Sequence, residues 1–385
     1  MSPLCLSAAK IFSFGIPMLI SPLKKALPIL PTPIKPIFLS LSIFFNPPLL
    51  NIPKNLKFVY NFFVDILFYE ILNFALSKKL FYKNQKIGIG VSGGGDSVLL
   101  FYFFKNIQKE FNLDLVVLHF NHKIRPDSDD DEVFVENLAK KHNVYFFSDR
   151  ADVLEISRQK NTNLEEQARL LRYDFFNKCK KKFNLDKIAT AHTKNDLIET
   201  FLINLIRGSS LDGLVSLKPS RAFYIRPMLF LEKAQIINYL NENNLHYKTD
   251  TTNFDTNYTR NKIRIELMET LKSYNPNILS TLYKEIELLN YDSQVLNYIA
   301  FENFVRSCTF LKNKALINLK FLSNDYAISS RVLKKAVSKI TGSYYSLSYN
   351  NINRLMDVIK SNKILVLRKH IKAYKQNNFL IIEKL

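Results

Sequence analysis

Between Lys86 and Ile107 the chain reads as a buried strand, a glycine turn and a buried helix in immediate succession. Lys86-Ile87-Gly88-Ile89-Gly90-Val91 is apolar and β-branched, the composition of a strand covered on both faces. Gly93, Gly94 and Gly95 follow inside Ser92-Gly93-Gly94-Gly95-Asp96-Ser97. Ser97 to Ile107 is apolar enough for a buried helix, with Asp96 and Ser97 in its N-terminal turn. Five of the nine glycines fall between Gly88 and Gly95, so the sequence concentrates its backbone freedom at this junction. Such a turn aims bare N–H groups and the positive end of a helix dipole at an anion. Glycine also removes the Cβ that would hold a phosphate away from the backbone. No Lys-Ser/Thr pair follows the last glycine, which excludes a Walker A loop.

The junction opens a longer alternation. Val59 to Leu76 reads as an amphipathic helix leading into the first strand. Asp114 to Asn121 is a strand, Asp129 to His142 a helix, Val144 to Ser148 a short strand and Glu165 to Lys182 a helix with a basic end. Asp186 to His192 is a strand, and Asn195 to Arg207 a helix closed by Gly208. This pattern predicts an α/β fold, an open and mostly parallel sheet with helices on both faces, whose ligands gather at the carboxyl ends of the strands. His119, His122, His192 and the glycine loop all lie near such ends. Beyond Leu217 the spacing turns helical over Glu232–Asn243, Tyr258–Leu271 and Asn277–Ala300. A late pair of strands follows near Ile364–Leu367 and Phe379–Ile382. The expected organisation is an extension over 1–57, a catalytic domain over 58–217, and a mainly helical C-terminal domain over 218–385.

The formal net charge of +20, with basic residues spread along the length, suits a polyanionic partner such as nucleic acid. A lysine-rich, AT-biased proteome would give a similar surplus. Cys5, Cys179 and Cys308 are far apart and form no CxxC pair, which argues against a disulfide framework, a zinc ribbon or an iron–sulfur site. The first 64 residues hold no Asp or Glu, and ten of the fourteen prolines precede residue 54. Apolar runs there are short and proline-broken, so a membrane span is not expected. The expectation is a cytoplasmic protein whose extension stands outside the enzyme core. A plastid-targeting or membrane-associating extension is the alternative.

Five further clusters follow the loop. They are His119-Phe120-Asn121-His122-Lys123-Ile124-Arg125 with Ser128 and Asp131; Asn163 to Arg169 with Arg172-Tyr173; Ala191 to Thr200 with Arg207-Gly208; Arg226-Pro227-Met228-Leu229; and Asp250, Asn253 and Arg260-Asn261-Lys262-Ile263-Arg264. The loop resembles the SGGxDS loop of the PP-loop, or N-type, ATP pyrophosphatases. All six motifs together, in order and in spacing, resemble the tRNA(Ile)-lysidine synthase family over about residues 80–275, and more loosely to 385. The family commonly has His-His-x-Asp-Asp-Gln in the third cluster. Here Thr193, Asn195 and Leu197 replace its second His, first Asp and Gln. The extra C-terminal domain of longer members has no counterpart.

The resemblance implies ATP-dependent ligation of free L-lysine to C2 of the wobble cytidine of CAU-anticodon isoleucine tRNA. It passes through an adenylated cytidine and releases pyrophosphate and AMP. Ser92, Gly93, Gly94, Gly95, Asp96 and Ser97 would then hold ATP, with Mg2+ near Asp96. Asp96, His192, Asp196, Glu199, Arg260 and Arg264 are the catalytic candidates. Asp196 and Glu199, three apart on one helix, would bind lysine and act as general base. His122, Arg125, Arg172, Arg207 and Arg226 are candidates for the nucleotide or tRNA, and the resemblance makes 218–385 the tRNA- or substrate-binding region. No stable protein partner is expected, although a homodimer remains open. The rivals are a PP-loop tRNA thiolase, which needs sulfur-relaying cysteines, a PP-loop amide synthetase, and a non-catalytic RNA-binding relative.

Overall fold

The computed structural model describes residues 65–124, 127–248, 259–342, 347–361, 363–367 and 370–385. The 1–57 extension and the start of the predicted first helix lie outside them. Helix α1 is described over Ile66–Ser77, where Asp65 caps it by accepting from the N–H groups of Leu67 and Phe68. Strand β1 (Lys86–Gly90) then enters the core and α2 (Gly95–Phe111) leaves it. The chain continues through β2 (Asp114–Asn121), α3 (Ser128–Lys141), β3 (Tyr145–Arg150), α4 (Val153–Lys160), α5 (Leu164–Lys182), β4 (Lys187–Ala189) and α6 (Lys194–Ile206). The eight-residue α4 was not anticipated. Gly208 takes a left-handed φ of 72° just past α6, as its C-terminal signal requires.

After the short α7 (Leu211–Leu214) come β5 (Ser220–Arg221) and β6 (Tyr224–Ile225). These complete the first sheet, whose order is β3-β2-β1-β4-β6-β5. Every pairing is parallel except β5 with β6. The sheet therefore runs past residue 217, and the domain boundary expected there falls inside it. Strand order reverses between β1 and β4, so a crevice opens above their carboxyl ends. Four buried phenylalanines, Phe81, Phe101, Phe103 and Phe104, lie in the core beneath.

Helix α8 (Lys233–Glu242) packs on α2. The helix expected over Tyr258–Leu271 appears as α9 (Thr259–Lys262), a π-helical turn (Ile263–Leu267) and α10 (Met268–Tyr274). Helix α11 (Ile278–Ser307) leads to the C-terminal part, where β7 (Cys308–Leu311), β8 (Lys314–Asn318), α12 (Tyr326–Thr341), α13 (Tyr349–Ser361), β9 (Leu365–Leu367), β10 (Ile371–Gln376) and β11 (Phe379–Lys384) follow. The two expected late strands are thus members of a five-stranded antiparallel sheet, β7-β8-β11-β10-β9. Among the described residues no helix is long and apolar enough to cross a membrane.

Candidate active site

A cavity of about 570 Å³ opens above β1 and β4. Its floor is the glycine loop, fixed from inside. The Ser97 hydroxyl donates to the Gly94 carbonyl at 2.8 Å and accepts from the Ser92 N–H at 3.0 Å. Gly93 has φ 95°, a conformation that L side chains resist. Gly94 is the N-cap of α2 and Gly95 its first residue; the Gly94 carbonyl accepts from the N–H groups of Ser97 and Val98, each at 3.0 Å, so only the N–H groups ahead of Ser97 precede the helix's own bonds. Gly95 also serves packing. A Cβ there would meet Ile237 Cδ1 at 3.0 Å and Leu240 Cδ1 at 3.2 Å, so its bare backbone lets α8 close on α2.

Ser92, Gly94, Gly95, Asp96, Ser97, His122, Arg172, His192, Asp196 and Arg260 all line this cavity. Asp96, in the first turn of α2, has its carboxyl pushed up to about 6 by burial; Lys233 at 3.7 Å opposes the shift and Asp196 adds to it. Asp196 is the N3 residue of a capping box, its Oδ2 accepting from the Thr193 N–H and hydroxyl, each at 2.9 Å. Burial alone would raise its carboxyl. Lys233, the Thr193 N–H and Arg260 outweigh that and hold it below the usual range. Burial, with Arg226 and Arg172 nearby, keeps the His192 imidazole neutral, and its Nδ1 meets the Thr190 hydroxyl at 2.9 Å. Burial and Arg172 push His122 down to about 4.

Glu199 and Arg264 do not line the cavity. Glu199 is 2% exposed and accepts from Arg264 Nε at 2.7 Å and Nη2 at 3.1 Å, with Arg260 Nε at 3.4 Å from its Oε2. The π-helical turn carries Arg264 onto this carboxylate while Arg260, four residues earlier, reaches the cavity. The helix spacing does place Asp196 and Glu199 on one side of α6. Their partners differ, however: one is spent on a cap and one on two guanidinium groups. A general-base role therefore does not suit Asp196, since a carboxylate held low has little proton affinity, and Glu199 faces its guanidinium partners rather than the cavity.

Other expected residues separate from the cavity. Arg226 is buried, and its Nη1 donates to the Lys218 carbonyl at 2.7 Å. It struts the turn into β6 and is closed to a large RNA. Arg207 is exposed at the end of α6, away from the cavity. Arg125, Asp250 and Asn253 lie outside the described residues. Gly93 shapes the loop from behind, its carbonyl accepting from the Lys248 N–H at 3.0 Å.

Lys233, Tyr247 and Lys248 also line the cavity and carried no motif. One signal for Lys233 existed: it is the first residue of α8, where the helix dipole disfavours a cation. A lysine at that end is explained by the Asp96 and Asp196 carboxylates it faces. Buried Glu132 does not line the cavity but holds Asn121, which does. It accepts from Ser148 Oγ at 2.6 Å and Asn121 Nδ2 at 3.1 Å and pins the loop after β2.

The fit to Mg2+ rests on Asp96. Magnesium is held through one or two carboxylates and substrate phosphates, and Asp96 is a desolvated carboxylate on the phosphate-facing turn with a second carboxylate nearby. A cation there relieves the repulsion and burial that raise its pKa.

Comparison with known proteins gives the same outline. The family model for the PP-loop domain matches residues 68–271. The tRNA(Ile)-lysidine synthase of Clostridium tetani is 34% identical over 314 residues, covering 80% of this chain and 67% of that protein. That of Clostridioides difficile is 31% identical, covering 82% and 70%. Among solved structures, the U34-tRNA thiolase NcsA from Methanococcus maripaludis superposes with a TM-score of 0.50 at 18% identity, covering 58% of this chain and 77% of that one. That likeness shows the fold alone. Five of the six motifs meeting at one cavity, the PP-loop domain and these relatives place the chain in the tRNA(Ile)-lysidine synthase family.

Proposed function

We propose that the chain ligates free L-lysine to C2 of the wobble cytidine of CAU-anticodon isoleucine tRNA at the expense of ATP. The observation that carries this reading is the meeting, in one cavity, of an anion-binding glycine turn, a desolvated Asp96 and the low-pKa Asp196. The loop N–H groups and Lys233 hold the ATP phosphates, and Asp96 would hold Mg2+, which would supply neutralisation of phosphate charge there. Cytidine O2 displaces pyrophosphate. The lysine ε-ammonium gives up a proton to water, the free amine attacks C2, and the C2–O2 bond then breaks, so that AMP leaves carrying O2 and the bonding pair.

In the second step Asp196 accepts hydrogen bonds from the lysine ammonium and orients it. Arg260, aligned by Glu199 and by the Thr200 hydroxyl at 3.1 Å, faces the cavity as the site for the lysine carboxylate or a phosphate. Neutral His192 contacts base or sugar without adding charge. A thiolase reading finds no activated thiol among the described residues, because burial pushes the Cys179 thiol up to about 12 and raises that of Cys308.

Incubation with ATP, labelled lysine and the isoleucine tRNA transcript tests the proposal. Label in the RNA, with pyrophosphate and AMP formed in step, supports it. Entry of sulfur or of another amine, with no lysine, overturns it. Glu199→Ala should impair lysine transfer more than adenylate formation, because it releases Arg260; equal loss of both steps refutes that role.

A further inference from the structure

The longest described helix, α11, has two sides of different fate. Ile286, Ser293, Ala300 and Ser307 recur every seven positions and are buried against the rest of the molecule. On the other side Leu288, Tyr291, Val295, Tyr298 and Val305 stand between 53% and 67% exposed. They are spaced three and four residues apart in turn, and Glu302 takes the one place in the row without an apolar residue. This is the a/d pattern of a two-stranded coiled coil. Single exposed apolar side chains are ordinary, whereas a continuous row of them marks a contact surface.

Charge decides what kind of partner fits. Helix α11 holds four acids, Glu285, Glu287, Asp292 and Glu302, against Lys284 and Arg306, in a chain of net charge +20. An acidic helix does not attract a polyanion, so nucleic acid is a poor occupant. The row does fit itself. Laid antiparallel on a second copy, with Val295 across from the partner's Tyr298, it puts Leu288 across from the partner's Val305. The same register sets Tyr291 across from the partner's Glu302, so the one acid in the seam meets a phenol O–H that can donate to it. Beside the seam Glu285 falls next to the partner's Arg306, and symmetry repeats the pair. A parallel pairing would instead stack Glu302 on the partner's Glu302 and set Glu287 beside the partner's Asp292, like charges in both places. The sequence therefore favours a two-fold, isologous contact.

We propose that the exposed face of α11 is a self-association surface, on which two copies of this chain pair antiparallel about a two-fold axis. From Leu288 to Val305 the row runs about 26 Å at 1.5 Å per residue, room for about six a/d layers. This pairing goes beyond the proposed reaction and does not depend on it.

Light scattering and sedimentation equilibrium of the full chain test it. The wild type should be a dimer at micromolar concentration. Tyr298→Glu and Val295→Glu each place an acid at the centre of the seam and should weaken the dimer at least about tenfold, with ATP affinity unchanged. Glu285→Arg should weaken it about fivefold, and adding Arg306→Glu should restore it. Should either glutamate variant fail to fold, this charge swap decides. Oxidation of a mixture of Leu288→Cys and Val305→Cys chains should join position 288 to position 305; a link from 288 to 288 would show a parallel pair and overturn the arrangement. A monomeric wild type overturns the proposal, as does a dimer that both glutamate variants leave intact. Hydroxyl-radical footprinting of Tyr291 and Tyr298 covers other occupants. Protection in a monomer, or only after tRNA is added, would give the face to another segment of the chain or to the substrate and overturn the pairing.

Discussion

Replacing Asp96 by Asn should stabilise the protein in the absence of nucleotide while abolishing its chemistry. Burial raises the carboxyl from 3.8 to about 6 against the pull of Lys233. A folded-state pKa above the unfolded one means that the folded chain holds this proton more tightly. The ionised group therefore costs nothing well below pH 4, costs more as pH rises, and reaches its full penalty above pH 6. At about 1.4 kcal/mol per unit, and with the side chain 27% exposed, the penalty is roughly 2–3 kcal/mol at pH 7.5 and about 1 kcal/mol at pH 4.5. Asn keeps the volume and removes the charge. Urea unfolding of both proteins at the two pH values, with m compared, should show Asp96→Asn more stable by those amounts. Pyrophosphate release should fall by at least about 100-fold. A variant less stable at pH 7.5, or a gain equal at both pH values, would refute burial as the source of the raised pKa.

Binding of Mg2+ and ATP beside Asp96 favours its ionised form and should release about half a proton at pH 6. Calorimetry in buffers of different ionisation enthalpy reads this directly, and heats independent of buffer would contradict it. Gly93→Ala forces a side chain into φ 95° and should cost about 1–2 kcal/mol, with weaker nucleotide binding; an unchanged melting temperature would show that the loop relaxes. Glu199→Gln removes the charge that pairs Arg264 and Arg260 at a buried position and should cost about 3–5 kcal/mol in denaturant unfolding. A loss under about 1 kcal/mol would show that the guanidinium groups find water instead.

Much of the first sheet was legible because its signals are local and long. Asp114–Asn121 forms a strand over those residues, and the helices Asp129–His142 and Glu165–Lys182 shift by a residue at their ends. The C-terminal sheet was half hidden: β7, β8 and β10 are four to six residues long, too short a run for period two to declare itself, and β10 also interleaves lysines. In the site, residues on the strand-end motifs were found, since the crevice follows from topology. Lys248 was not, because it reaches the cavity through a lone bridge to Gly94 from 154 positions further along the chain. The partners of Glu199 were equally invisible. Charge and spacing suggested a lysine-facing pair with Asp196, whereas packing of the π-helical turn gives that carboxylate to Arg264.

Nucleoside analysis of the isoleucine tRNA after reaction tests the central claim most directly. With ATP and lysine both present, the wobble cytidine should gain the mass of lysine less one water, and it should remain cytidine when either is withheld. A wobble position that stays cytidine while the protein turns ATP into AMP and pyrophosphate, or that acquires sulfur, would contradict the account.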